Sequence, residues 1–126
     1  MSPLLQVEPL VLEGVEITAQ RDVVVMKGVL SMRSPSETVT PFLRRVHAAA
    51  ADAGIKKITV DLTQLRFMNS ASIRSLVDWV EWIRKEPESR RYRLVFVTKP
   101  DVSWQQTTLA AIRAFGGEHV GVQNTL

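Results

Sequence analysis

Cysteine is absent from this 126-residue chain. That excludes a disulfide framework, a thiol nucleophile and cysteine-based metal sites, and it fits a reducing cytosol. Histidine is scarce as well: His47 and His119 are far apart in sequence and show no ligand-like spacing, so no zinc site is expected. No run of about 18 apolar residues exists, so no membrane span is expected. The start, MSPLLQVEPLVLEG, is apolar but lacks a basic n-region and carries Glu8 and Glu13, so no cleaved leader is expected and the reading is cytoplasmic. The six glycines form no G-x-x-x-x-G-K-[ST] phosphate loop, and no cofactor is called for. Excess charge is also small. A net +3 does not demand a polyanionic partner, and the cluster Arg84, Lys85, Arg90, Arg91 and Arg93 is interrupted by Glu86 and Glu88 around Pro87. It reads as a solvated loop and not as a nucleic-acid patch.

What is present is a single domain's worth of chain with alternating strand and helix signals. Residues 15–19 and 23–30 are strand-like and meet at Gln20-Arg21-Asp22 as a hairpin. After a loop rich in Ser, Thr and Pro, Thr38 is placed to cap a helix whose apolar face holds Val39, Phe42, Leu43, Val46, Ala50 and Ala53, and Gly54 ends it. The run KKITVDL, 56–62, follows as a covered strand, with Asp61 at its carboxyl end as a hydrogen-bonding anchor. A second helix over about 70–85 shows Ile73, Leu76, Val77, Val80 and Ile83 on one arc that Trp79 widens. YRLVFVT, 92–98, is the most strand-like run of all. Ser103 and Gln106 suggest a capping box for a third helix bearing Trp104, Ala111, Ile112 and Phe115, which Gly116-Gly117 stops before a last strand at 118–122. The order ββαβαβαβ predicts an α/β fold with a mostly parallel, mixed central sheet flanked by helices.

The junction RFMNSASIRSL, residues 66–76, is the richest stretch for function. A strand ends there and a helix begins on a turn of small polar residues, where first-turn amides can bind an anion, present a hydroxyl or dock a partner. Asn69 and Ser70 are both good N-cap types, so at least one of them has a structural use. On the second helix Trp82 falls roughly 100° from the centre of the apolar arc, beside Ser75 and Asp78, which predicts partial exposure. Catalysis is not expected, since Ser70 has no histidine nearby in sequence to act as its base.

Gly28-Val29-Leu30, then ITVDLTQL at 58–65 and FMNSASI at 67–73 before a long helix, resemble the STAS domain of bacterial anti-sigma factor antagonists, a family that also includes domains of sulphate transporters. The resemblance covers about 11–122 of one domain spanning 1–126, with 1–10 as an N-terminal extension. The family pattern runs roughly F-M-D-S-S-G-I/L, and Phe67, Met68, Ser70 and Ile73 match it. Asn69 stands where the family has aspartate. Ala71 stands where it often has the serine that a partner kinase phosphorylates, and Ser72 stands at the glycine position.

The resemblance implies a non-catalytic regulatory module that binds a protein partner. That partner would be a serine kinase and anti-sigma factor of the histidine-kinase-like ATPase type, with a phosphatase that reverses the mark; a homodimer stays open. The contact surface would hold Met68, Asn69, Ser70, Ala71, Ser72, Arg74, Ser75, Asp78 and Trp82, with Ser70 and Ser72 as phosphorylation candidates because Ala71 lacks a hydroxyl. A phosphate there would add about −1.5 to −2 charge at a helix N-terminus that favours anions, with Arg66 and Arg74 near in sequence to neutralise it. The alternative is a constitutive STAS docking subunit of a transporter or larger complex that is never phosphorylated.

Overall fold

Among the described residues, six strands form one sheet in the order β1-β2-β3-β4-β5-β6, each neighbouring its sequence successor. The computed structural model describes residues 5–125. Strands β1 (Leu5–Leu12), β2 (Val15–Arg21) and β3 (Val23–Leu30) run antiparallel, and β4 (Lys57–Met68), β5 (Arg93–Thr98) and β6 (Val120–Asn124) add on in parallel. Helices α1 (Val39–Ala53), α2 (Ser70–Lys85) and α3 (Ser103–Gly116) make the three crossovers. Each crossover steps the same way along the sheet, so a common right-handed sense puts all three helices on one face. The packing agrees: α1 lies against β1 and α2, and α3 lies against α2, β5 and β6. The helices therefore flank the sheet on one side.

Period-2 alternation shows which side that is. Ile17, Val24, Met26, Ile58, Val60, Leu62, Leu94 and Phe96 are fully buried beneath the helices. Their neighbours Thr18, Val25, Thr59 and Val95 stand half-buried on the opposite face. The 1–10 segment differs from the sequence expectation of an extension. Its residues from Leu5 onward form edge strand β1, and Leu5 is part of the core, while residues 1–4 lie outside the described residues. Pro9 hid this strand from a reading of periodicity. The β1/β2 register shifts between Val7 and Leu10, and such a bulge at an edge is where a strand tolerates proline.

Strand β4 also exceeds its expected end at Leu62 and reaches Met68. Its register against β3 shifts between Asp61 and Gln64, which breaks the alternation a strand is recognised by. Asp61 is therefore not terminal. Its Oδ1 accepts from Thr63 N at 2.9 Å and Thr63 Oγ1 at 2.6 Å, holding the bulge. Gly28 sits opposite, at φ 99°, and a Cβ there would collide with the Gly14 carbonyl oxygen, which itself accepts from Val29 N at 2.9 Å. Only glycine meets both conditions.

Two expected caps do not form. Thr38 precedes α1 but its hydroxyl points to Met32 Sδ, 3.0 Å away. No capping box opens α3: Gln106 donates instead to Lys99 O at 2.9 Å and Asn124 Oδ1 at 3.0 Å, tying the helix to β6. Two helix faces also differ. On α1, Ala53 is exposed and His47 and Ala51 are buried; on α3, Ala111 and Phe115 are exposed and Gln105 and Leu109 are buried.

Candidate functional site

Asn69 fastens the junction of β4 and α2 from three sides. Its backbone N donates to Leu30 O at 2.8 Å, its Nδ2 donates to Met32 O at 2.9 Å, and its Oδ1 accepts from Ser72 N at 2.9 Å. The last contact is the N-cap, so the cap is Asn69 and Ser70 is released from that duty. An amide suits this position better than a carboxylate, because a carboxylate has no donor to offer the Met32 carbonyl. The substitution that departs from the family pattern is thus chemically consistent with its surroundings.

The helix that follows is rotated from the expected arc. Its buried line runs Ser72, Ser75, Leu76, Trp79, Val80 and Ile83, while Ile73 and Val77 are half-buried and lie along a groove shared with α3. Small side chains on that line let α1 approach closely, and Thr40 Oγ1 lies 2.9 Å from Ser75 Oγ across the contact.

This rotation sorts the candidate residues. Ser70 is exposed, Ala71 is half-buried, and Arg74 and Asp78 share an outward i,i+4 pair at 3.6 Å. Ser72 is 1% exposed, and its Oγ has no hydrogen-bond partner among the described residues. A kinase needs the hydroxyl at the surface, so burial corrects the expectation for Ser72. Ser75 and Met68 are withdrawn for the same reason, at 2% and 4% exposure. Trp82 is half-buried as expected but lies far from the junction, about 18 Å along α2 from Ser70 at the usual helical rise. It belongs to a different cleft.

Around the junction, a groove of about 250 Å³ runs between α2 and the loop after β3. It joins Ala71, Arg74 and Asp78 to Arg33, Ser34 and Ser36. That loop contribution was missed from sequence, where 34–40 reads only as a connection; the mixture of Arg33 with flanking serines was the available signal. Phe67, just before the turn, is 47% exposed, and the Trp104 indole N–H donates to Arg66 O at 2.9 Å beside it. The surface thus offers an apolar ring, two arginines, a free serine and a shallow groove on a firmly held turn.

The whole architecture matches a known one. The chain is similar to the crystal structure of an anti-sigma factor antagonist from Mycobacterium paratuberculosis, at a TM-score of 0.55 and 16% identity, covering 96% of this chain and 86% of that one. The fold is that of an anti-sigma factor antagonist. No protein-family model matches the chain, and no curated protein matches it. Within this STAS fold the β4–α2 junction occupies the place that the FMNSASI motif marks.

A second polar constellation lies at the other end of α2. The Trp79 indole N–H donates to Tyr92 Oη at 2.7 Å, Tyr92 Oη lies 2.7 Å from His47 Nδ1, and His47 Nε2 lies 2.8 Å from Glu86 Oε2. Every group is satisfied if Tyr92 donates to Nδ1 and a neutral His47 donates from Nε2 to an ionised Glu86. The titration behaviour fits: burial holds His47 below its ordinary value against the pull of Glu86, and the His47 and Arg90 hydrogen bonds hold the Glu86 carboxyl below its own. Burial pushes the Tyr92 hydroxyl up. Glu86 Oε1 also accepts from Arg90 Nε at 3.1 Å, and Arg90 Nη2 reaches Asp52 at 2.8 Å. Part of the arginine cluster expected to be a solvated loop is therefore bonded into the fold, and no signal in the sequence linked His47 to Tyr92 and Glu86 across 39 residues or more.

Among the described residues, no group of three or more His, Asp or Glu side chains is placed to hold a metal ion. No helix among them is long and apolar enough to cross a membrane.

Proposed function

We propose that the chain is a regulatory protein–protein interaction module that docks a serine-kinase-type anti-sigma factor through the β4–α2 junction and its groove, and that Ser70 is its phosphoacceptor. The observation that carries this reading is the exposed Ser70 hydroxyl on the first turn of α2, uncommitted to capping, in the fold of an anti-sigma factor antagonist. Chemistry supports the switch. A phosphate on Ser70 meets the first-turn amides and the favourable end of the helix dipole. Arg74, four residues on and therefore on the same face, is held among the described residues only by an exposed pair with Asp78, which it can leave to meet the new charge. The domain tolerates the phosphate; the partner, pressed against the groove, meets added bulk and charge and leaves.

A second reading follows from Ala71, which lines the groove where the family often carries its phosphoserine. A chain without a modified serine would be a constitutive docking subunit of a transporter or larger complex, using the same surface. Tagged protein purified from its native cells and analysed by mass spectrometry separates the two. Phosphate on Ser70 with a kinase-like ATPase partner supports the switch, and release of that partner by Ser70→Asp completes the case. Absence of phosphate across growth states, together with binding unchanged by Ser70→Asp, overturns it.

A further inference from the structure

A cleft of about 560 Å³ opens between α1 and the C-terminal end of α2, remote from the junction. Its walls carry Arg44, Trp82, Lys85 and Arg90, with His47 and Glu86 at the base. The four ionised side chains are not equivalent. Arg90 and Glu86 satisfy each other and Asp52, so their charges are spent within the fold. Arg44 and Lys85 have no carboxylate partner among the described residues.

Arg44 is nevertheless positioned. Its guanidinium carbon lies 4.5 Å from the centre of the Trp82 ring. Stacking of this kind fixes the plane of the guanidinium while leaving its in-plane N–H donors available, the arrangement in which arginine grips a phosphate or carboxylate with two parallel hydrogen bonds. Trp82 is in turn backed by the His47 ring, 6.0 Å away, and His47 is clamped between Tyr92 and Glu86. A buried hydrogen-bonded chain thus supports an aromatic plate, the plate holds an arginine, and an unpaired lysine lies across the cleft. A site of this size and half-apolar, half-polar lining suits a small organic molecule bearing one anionic group.

The geometry points to an oxyanion-binding site here, in which Arg44, held in place by Trp82, and Lys85 grip the phosphate or carboxylate of a small ligand whose body lies in the cleft beside the indole edge. It is independent of the docking surface and gives the domain a place to sense a metabolite. The site commits two cations and spends none of the groups that hold the fold together.

The test uses ¹⁵N-labelled full chain, in which Trp79, Trp82 and Trp104 give three indole N–H signals, titrated with phenyl phosphate, inorganic phosphate and benzoate. The expected result is a saturable shift centred on the Trp82 indole signal for at least one of the three. Arg44→Ala and Lys85→Ala, both at exposed positions that leave the core intact, should each weaken binding at least about tenfold, as loss of a charge-assisted hydrogen bond predicts. Arg113→Ala, on the exposed side of α3, should leave it unchanged. Preference for phenyl phosphate over inorganic phosphate identifies an organic phosphate as the ligand class, and preference for benzoate identifies a carboxylate. No saturable shift with any probe, or equal affinity in the Arg44 and Lys85 variants, overturns the assignment.

Discussion

At the scale of single residues, two positions decide how the junction behaves. Asn69 does the work of a cap and a strap together, and its amide donor is what lets it bind a carbonyl that an aspartate would repel. Ser72 is the opposite case, a buried hydroxyl with no partner among the described residues. Leaving such a group unpaired costs about 1–3 kcal/mol, so Ser72→Ala should keep the fold and raise unfolding free energy by up to about 1 kcal/mol once lost packing is subtracted. Urea unfolding of the two proteins checks this; a loss of stability would mean that the hydroxyl has a use the geometry does not reveal.

His47 makes a prediction of its own. Its folded-state pKa lies below 6.5, so the unfolded chain takes up a proton that the folded chain resists. The contribution is complete above pH 6.5 and is lost as pH falls below that value, and Glu86, held below 4.5, adds a further loss at lower pH. The His47 imidazole followed by NMR should titrate below its ordinary value, and the urea midpoint should fall from pH 7 to 5 more steeply than in His47→Leu. Titration of His47 above 6.5 would contradict the neutral chain from Trp79 to Glu86.

At the scale of elements, the most consequential residue is one that sequence reasoning passed over. Gln105 is fully buried on α3; its Nε2 donates to Leu62 O at 2.8 Å and Leu65 O at 3.0 Å, and its Oε1 accepts from Lys99 N at 2.9 Å. Two of those partners, Leu62 and Leu65, lie at the register shift of β4 against β3. One amide therefore holds the irregular half of β4 that leads into the junction. Gln105→Leu, which keeps approximate volume and removes all three bonds, should cost roughly 2–4 kcal/mol and increase hydrogen exchange in 62–68 ahead of the rest of the sheet. Uniform loss of protection would show that the bulge is held by other means.

The strands and helices themselves were legible where periodicity was clean. Residues 23–30 and 70–85 carry unbroken signals and form β3 and α2, and 92–98 forms β5 in all but Tyr92. The irregular pieces were not legible, because a bulge changes the side a residue faces without changing its type. That cause hid the second half of β4, and together with Pro9 it hid β1. The rotation of α2 was hidden differently: Ser72 and Ser75 are polar by type and buried by position, because close approach to α1 rewards small size over apolarity.

At the scale of the whole molecule, one face of the sheet carries all three helices, and the proposed docking surface and the oxyanion cleft lie toward opposite ends of α2. The accessible members of the junction, exposed Ser70 and Arg74 and half-buried Ala71 and Asp78, could be assembled from the motif alone, since helical spacing puts them together. Arg33 and Ser34 could not, because they arrive from a loop more than thirty residues earlier. Nor could the Trp79–Tyr92–His47–Glu86 chain, whose members come from α1, α2 and the connection between α2 and β5.

The regulatory function proposed for this molecule depends on a partner binding at the β4–α2 junction. Site-specific photo-crosslinking in the native cells tests it most directly, with the crosslinking residue at Ala71 or, as the comparison, at Val95 on the open face of the sheet. Ala71 should capture one defined protein, a kinase-like ATPase, and Arg74→Glu should abolish the capture. Equal capture of that protein from Val95, or capture from Val95 alone, would contradict it.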